Sequence, residues 1–138
     1  MTDPEGEFRT KLLATFREEA DEHLTEITED LLAIEKAGSD TAPELIERAF
    51  RKTHSLKGAA RAVKLREIES VCQNLETVFS AMKKGTFSPD EEAFDLFHEA
   101  LKVTRSLLQE ERAPPASAAT INSRLRLLAG DGKSAGQS

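Results

Sequence analysis

Apolar residues recur at gaps of three and four along most of this chain, which is the period of one face of an α-helix. The first stripe extends from about Phe8 to Lys36, and the opposite face is rich in acidic residues. Its members are Phe8, Leu12, Phe16, Ala20, Leu24, Ile27, Leu31 and Ile34. The pattern predicts one long amphipathic helix, which Gly38-Ser39-Asp40 should end.

Two further stripes follow. The second helix should begin at Thr41-Ala42-Pro43-Glu44, because Thr41 can cap a helix and proline is tolerated in a first turn. After a turn at Ala62-Val63-Lys64-Leu65, the third helix should run from about Leu65 to Lys84 and end at Gly85. The inward positions are Leu45 or Ile46, Ala49, Phe50, Thr53, Leu56 and Ala60 on the second helix, and Leu65, Ile68, Val71, Cys72, Leu75, Val78, Phe79 and Met82 on the third.

The last two stripes are shorter. Ser88-Pro89-Asp90-Glu91 predicts a helix start, with a cap, a proline at the first position and acids in the first turn. The prolines of Ala113-Pro114-Pro115-Ala116 interrupt the chain, and a fifth helix should cover about Ser117 to Ala129. The apolar positions are Phe94, Phe97, Leu101, Thr104 and Leu108 on the fourth helix, and Ile121, Leu125 and Leu128 on the fifth.

These stripes predict an all-α fold. Amphipathic helices joined by short connections form an antiparallel, up-down four-helix bundle, here with an additional C-terminal helix. No strand pattern is visible in the sequence. We expect residues 1–130 to form one domain, and the Gly-, Ser- and Lys-containing stretch 131–138 to be a flexible tail or linker.

The composition of the chain narrows the range of possible functions. The net charge of -6 argues against a nucleic-acid partner. The single cysteine, Cys72, excludes an intrachain disulfide, is expected to be a buried small apolar residue, and fits a cytoplasmic setting. No apolar run approaches the roughly 20 residues that span a bilayer, so we expect no membrane partner. Gly-rich phosphate loops and nucleotide motifs are absent, so we expect no bound cofactor and no ATP site in this chain.

The candidate chemistry lies on the second helix, in Arg51-Lys52-Thr53-His54-Ser55-Leu56-Lys57-Gly58-Ala59-Ala60. His54 falls at the edge of the apolar stripe, and Lys57 and Gly58 follow one turn later on the same face. An imidazole can act as nucleophile, base or ligand, a nearby cation favours an anion, and a glycine leaves room for an approaching group. Arg51 and Arg61 can share this face and are weaker candidates for contact with an anion.

The third helix offers a partner for the imidazole. If the second and third helices form an antiparallel hairpin, residues whose numbers add to about 130 lie level. His54 is then level with Glu76, and Lys57 with Gln73. A carboxylate that accepts from one ring nitrogen leaves the other nitrogen with a free lone pair, which would be the nucleophile. A phosphoryl group on that nitrogen could be neutralised by Lys57.

The stretch from His54 to Ala60 closely resembles the motif of histidine-containing phosphotransfer (HPt) domains, most closely that of the N-terminal domain of CheA-type chemotaxis histidine kinases. The resemblance extends through Phe16-Arg17-Glu18-Glu19-Ala20, Asn74-Leu75-Glu76 and Lys84-Gly85, and covers most of residues 8 to 129. It implies that His54 is phosphorylated and that Glu76 hydrogen-bonds it. It also matches Lys57 and Gly58 to the lysine and glycine of the family motif.

The sequence departs from the family at two places. Gln73 stands where the family often has a second histidine, and Arg61-Ala62-Val63-Lys64 replaces a turn that is usually rich in glycine. The resemblance implies two kinds of partner, a kinase ATP-binding domain, which would bring ATP and Mg, and a response-regulator receiver with an acceptor aspartate. As an isolated domain, the chain is expected to be a monomer.

Several alternatives stay open from the sequence. The chain resembles an excised piece of a larger kinase, but a free-standing carrier in a multistep phosphorelay fits the same motif. A helical interaction bundle with an inert histidine is a rival from another class. A metal-binding bundle is a weaker rival, because Asp95 and His98 provide one carboxylate–histidine pair where a di-metal site needs two pairs and further glutamates.

Overall fold

The computed structural model describes residues 3–41, 43–109 and 115–130, and their fold is all-α, as predicted. Five α-helices follow one another: α1 (Pro4–Ala37), α2 (Pro43–Ala62), α3 (Arg66–Lys84), α4 (Glu91–Leu108) and α5 (Pro115–Leu128). A short 3-10 turn, Gly38–Asp40, lies between α1 and α2. The predicted tail at 131–138 and the residues 110–114 lie outside the described part of the chain.

The helices form an antiparallel ring, α1 beside α2, α2 beside α3, α3 beside α4 and α4 beside α1, with α5 packed on α3 and α4. The direction of α2 and α3 follows from four side-chain contacts between them. From one pair to the next, the residue number rises along α2 by the same amount as it falls along α3, which shows that the two helices are antiparallel. The pairs are Glu47–Lys83, His54–Glu76, Lys57–Gln73 and Arg61–Glu69.

The predicted apolar stripes make the core, except for Phe8 and Leu12 near the start of α1, which are exposed. On α3 every predicted inward residue from Ile68 to Met82 is buried, and on α2 so are Ala49, Thr53, Leu56 and Ala60. Phe79 of α3 meets Phe97 of α4 edge to face, with ring centroids 5.5 Å apart. Burial of such side chains contributes about 1.5–3 kcal/mol each, so the apolar core stabilises the packing of α2 against α3.

Three helix starts differ from the sequence prediction. Helix α1 begins at Pro4 rather than near Phe8, because the side chain of Asp3 accepts a hydrogen bond from the Glu5 N–H at 3.2 Å. Its first turn was missed because residues 4–7 contain no residue of the apolar stripe from which the helix was predicted. Helix α5 begins at Pro115, two residues earlier than expected.

The predicted start of α4 is also wrong in its capping residue. Its cap is Asp90, which accepts from the Ala93 N–H at 2.9 Å, whereas the sequence pattern suggested Ser88. At α2 the predicted first-turn proline is present as Pro43. The hydroxyl of Thr41, however, donates to the carbonyl oxygens of Ile34 and Gly38 and so closes the end of α1.

A buried carboxylate joins α1 to α2 on the side of α2 away from α3. Asp30 is 2% exposed and accepts from Arg48 at 2.6 Å and from Lys52 at 3.4 Å. Lys52 also lies 3.5 Å from Glu26. These contacts fix the rotation of α2 about its axis, and thereby the direction in which the residues between Arg48 and Ala62 point.

Candidate functional site

The structure places His54 on the exposed outer edge of the α2–α3 pair. Thr53 and Leu56 beside it are buried in the core, which sets the helix rotation so that the imidazole lies at the surface. The His54 side chain is 62% exposed, and the Glu76 side chain is 11% exposed. The candidate nucleophile is therefore accessible, while its carboxylate neighbour is largely enclosed.

Glu76 contacts both basic residues of the motif. Its Oε2 lies 2.5 Å from His54 Nδ1, and its Oε1 lies 2.5 Å from Lys57 Nζ. Burial by itself raises the pKa of Glu76, but the hydrogen bonds and charges of Lys57 and His54 outweigh burial and leave its pKa below the ordinary value. Glu76 is thus ionised, and its Oε2 accepts a hydrogen bond from the Nδ1–H of His54.

The other ring nitrogen, Nε2, has no hydrogen-bond partner among the described residues. In the neutral tautomer that donates from Nδ1, the lone pair of the imidazole lies on Nε2, so this geometry presents a candidate nucleophile to solvent. The contact between His54 and Glu76 that the hairpin register predicted is present.

Lys57 is held between two acceptors on α3. In addition to Glu76, its ammonium donates to Gln73 Oε1 at 3.1 Å, and the Gln73 amide donates to Thr77 Oγ1 at 3.2 Å. Gln73 therefore takes part in the network at the position where the family often has histidine. The Lys57 side chain is only 16% exposed, so its charge stays beside Glu76 and at the rim of the site.

Gly58 is exposed, and the packing of the described residues does not require a glycine at this position. A Cβ built at this position would meet no atom within 4 Å, and its backbone is helical. A glycine in a helix costs about 1 kcal/mol relative to alanine. Nothing inside the described part of the domain requires this glycine, and the space beside it is open to an approaching group.

The two arginines near the motif are engaged elsewhere. Arg51 lies 3.5 Å from Glu47 on its own helix, and Arg61 donates to Glu69 of α3 at 2.7 Å. Neither contacts His54. The structure thus brings together His54, Lys57, Gln73 and Glu76, and keeps Arg51 and Arg61 as neighbours on the same surface.

One contact of the imidazole was not predicted. Phe50, one turn before His54, stacks on its ring with centroids 6.4 Å apart and planes tilted by 16°. Lys83 Nζ lies 4.2 Å from the centre of the Phe50 ring and pairs with Glu47 at 2.6 Å. The sequence signal was the spacing of four residues between Phe50 and His54, which puts them on one face.

The remaining candidates show no comparable arrangement. Burial raises the pKa of Cys72 to about 12, so the thiol stays protonated inside the core. His98 lies 3.4 Å from Glu35. Within the described ranges, no group of three His, Cys, Asp or Glu side chains could hold a metal ion. None of the described helices is long and apolar enough to cross a membrane.

A family model described as Hpt domain matches residues 11–112 of the chain. The chain belongs to the HPt domain family. The matched residues include the long α1, the motif on α2 and the Glu76 helix, so the family assignment agrees with the site as the structure places it.

Relatives of this HPt domain include proteins named Chemotaxis protein CheA. The chain is 30% identical to the protein of Bacillus subtilis (strain 168) over 97 residues, which are 70% of the chain and 14% of that protein. It is 35% identical to the protein of Cereibacter sphaeroides over 69 residues, which are 50% of the chain and 10% of that protein. This HPt domain is therefore similar to the phosphotransfer region of CheA, and it spans about a seventh of those relatives or less.

Proposed function

We propose that His54 is the residue that accepts and donates the phosphoryl group. The observation that carries this proposal is the 2.5 Å contact from Nδ1 to Glu76, which leaves Nε2 free on an imidazole that is 62% exposed. In this proposal Glu76 fixes the tautomer and orientation of the ring, Lys57 neutralises the added charge, and Gly58 leaves space for the partner.

The proposed phosphoryl transfer needs no catalytic group on this domain other than His54, Glu76 and Lys57. The Nε2 lone pair attacks the γ-phosphorus of ATP held by a kinase domain, the N–P bond forms, and the P–O bond to ADP breaks with its electron pair leaving on ADP. In the second step an aspartate oxygen of a receiver attacks phosphorus. The N–P bond then breaks, and its electrons return to Nε2 as a neutral imidazole.

The parent protein of this domain is proposed to be a histidine kinase of the CheA kind, with the ATP site, Mg and the receiver on other domains or proteins. The similarity to CheA proteins supports this assignment over a free-standing phosphorelay carrier. Partner docking is proposed on the exposed faces of α2 and α3 around His54. We place the exchange in the cytoplasm, where ATP is available to the kinase, and treat the isolated domain as a monomer.

Incubation with the kinase domain and ATP labelled at the γ-phosphate tests the assignment. The wild type should take up label that is stable to alkali and labile to acid, as expected for a phosphoryl group on histidine. His54→Gln should take up none, whereas His98→Gln, which changes the other histidine that faces a carboxylate, should be labelled normally. An active kinase that leaves the wild type unlabelled would overturn the proposal and favour an interaction bundle.

A further inference from the structure

A groove with basic walls lies at the hairpin end of α2 and α3, beyond the phosphotransfer site. It has a volume of about 700 Å³ and is bounded by three helices, because α5 closes one side. We call it the basic groove. Its charged and connecting lining residues are Arg61, Lys64, Arg66, Arg126, Glu69 and Gln73.

The charge of the basic groove is opposite to that of the chain. Four of its side chains are cationic and one is anionic, in a chain with a net charge of -6. The one carboxylate, Glu69, is already paired with Arg61 at 2.7 Å. Lys64, Arg66 and Arg126 make no ion pair with the rest of the described chain. Three cations thus converge on an open groove without an ion-pair partner among the residues that the structure describes.

The backbone at Lys64 provides an independent observation. Lys64 has φ 63°, the only positive φ of a non-glycine residue in the part of the chain that the structure describes. Its N–H donates to Arg61 O at 3.1 Å, and the next N–H donates to Ala60 O at 2.9 Å. Residues other than glycine are strained in this left-handed backbone conformation, and strained residues are frequent at functional sites.

The same helix ending occurs a second time in this chain, with the usual residue. At the end of α3, Gly85 has φ 78°, its N–H donates to Met82 O at 3.1 Å, and the next N–H donates to Ala81 O at 3.0 Å. This hydrogen-bond pattern is the Schellman motif, which favours glycine at the left-handed position. The chain places a lysine there only where the side chain lines the basic groove.

The basic groove is continuous with the phosphotransfer site. Gln73 lines the groove, and its side-chain oxygen accepts from Lys57, which contacts Glu76. Arg61 lies two turns beyond His54 on the same helix and face. A protein that covers His54 from outside therefore reaches the groove with the part of its surface that flanks the reacting group.

We propose that the basic groove binds acidic side chains of the receiver domain that takes the phosphoryl group from His54. The proposal rests on the function proposed above. The acceptor group of such a receiver is a carboxylate that meets His54, and the groove begins about two helix turns away from His54, so the partners proposed for its cations are acidic side chains on the receiver surface that flanks the acceptor. Charge complementarity at a rim mainly accelerates and orients association, so the groove sets which receiver docks and how fast.

The test separates docking from chemistry by loading His54 without any partner. Phosphoramidate donates its phosphoryl group to an imidazole nitrogen, with its own P–N bond breaking and ammonia leaving. The loaded domain is then mixed with the receiver that accepts the phosphoryl group fastest in a profile of receivers. The transfer rate is followed against receiver concentration, at low and at raised salt.

The variants are Lys64→Gly, Arg66→Gln and Arg126→Gln, singly and together. Lys102→Gln, on the exposed face of α4, is the matched control, because it removes one cation from a helix that does not contact α2. Each single variant should lower the apparent second-order rate constant about 2- to 5-fold, and the triple variant about 10-fold or more. The rate at saturating receiver should not change, and raised salt should remove the difference.

Lys64→Gly gives a readout that a structural role would not give. Glycine relieves the strain at φ 63°, so this variant should melt at the same temperature as the wild type or a few degrees higher, while it docks more slowly. Loss of both stability and docking would overturn the inference, since it would make the lysine a structural residue. The inference would also be overturned if the triple variant transfers the phosphoryl group to the receiver as fast as Lys102→Gln does.

Failure of the proposed function and failure of the groove proposal give different results in these assays. If the wild type cannot be loaded or cannot pass its label on, the proposed function fails. If it can, and the groove variants reduce phosphorylation by the kinase domain as strongly as transfer to the receiver, then the groove serves the kinase or its nucleotide, and the assignment to the receiver is wrong.

Discussion

Two buried carboxylates in this domain are held in the same way but differ in what they leave free. Asp30 on α1 meets Arg48 and Lys52, and Glu76 on α3 meets His54 and Lys57. In both cases α2 supplies two basic residues from adjacent turns of one face. The helix α2 is thus fixed on one side by a carboxylate from α1 and on the other by a carboxylate from α3.

The difference lies in the basic partner. Arg48 reaches Asp30 with two nitrogens, and neither a guanidinium nor an ammonium has a lone pair to offer. His54 reaches Glu76 with one nitrogen and keeps the other exposed. The same arrangement of acid and base is therefore a structural ion pair when its base is arginine, and leaves a candidate nucleophile when its base is histidine.

The substitution His54→Arg should convert the reactive site into a second structural ion pair, and it has the largest expected effect. Phosphoryl acceptance should be lost completely, because a guanidinium cannot attack phosphorus. The free energy of unfolding should stay within about 1 kcal/mol of the wild type, since an exposed ion pair contributes little. Labelled ATP and urea unfolding measure the two effects, and retention of acid-labile label in this variant would show that another histidine is the acceptor.

Asp30→Asn should break the structural ion pair and leave the chemistry in place. Removing the buried charge leaves Arg48 without its carboxylate and Lys52 with Glu26 alone, so the free energy of unfolding should fall by about 1.5–3 kcal/mol, the range for a lost hydrogen bond to a charged group. The initial rate of phosphorylation at 25 °C should change less than about twofold while the domain remains folded. Glu26→Gln, which changes a more exposed partner of Lys52, is the control and should cost under about 0.5 kcal/mol.

Glu76→Gln should have an intermediate effect and act on the chemistry. A glutamine can still occupy the space, but the charge-assisted contact with Nδ1, worth about 1.5–3 kcal/mol, is lost, so phosphorylation should slow about tenfold or more. The ¹⁵N shifts of His54 should show a smaller share of the tautomer protonated at Nδ1. Glu67→Gln on the exposed face of α3 should change neither quantity; an unchanged tautomer in Glu76→Gln would remove the orienting role.

Gly58→Ala should raise stability and still impair function. The added Cβ meets no atom, so the free energy of unfolding should rise by about 0.5–1 kcal/mol. Chemical loading of His54 by phosphoramidate should proceed normally, while phosphorylation by the kinase domain and transfer to the receiver should slow. If both partner reactions keep their wild-type rates, the glycine does not serve partner approach.

The smallest expected effect is on the pH dependence of stability. The pKa of Glu76 lies below its ordinary value of 4.5, so the carboxylate stabilises the fold fully above pH 4.5. This contribution is lost as the pH falls through the lowered pKa of the folded state. Urea unfolding between pH 3 and 6 should show a steeper acid loss in the wild type than in Glu76→Gln, and parallel curves would contradict the assignment.

The sequence was sufficient for the parts of the site that depend on local periodicity. The apolar stripe of α3 and the hairpin register predicted that His54 and Glu76 meet, and the structure contains that contact. The contact of Asp30 with Arg48 and Lys52 between α1 and α2 was not predicted. Asp30 lies three residues after Ile27 and four before Ile34, and a polar residue inside an apolar stripe is the sequence signal of such a buried pair.

By itself, the sequence determined the helices, their buried faces and the identity of the candidate nucleophile, because these follow from spacing along one helix. The tertiary structure decided which charges find partners. Arg61 pairs with Glu69, while Lys64 and Arg66 from the α2–α3 turn meet Arg126 from α5 at one groove, although about 60 residues separate them along the chain. It also decided the strained backbone of Lys64, because a left-handed turn depends on how two packed helices must be joined.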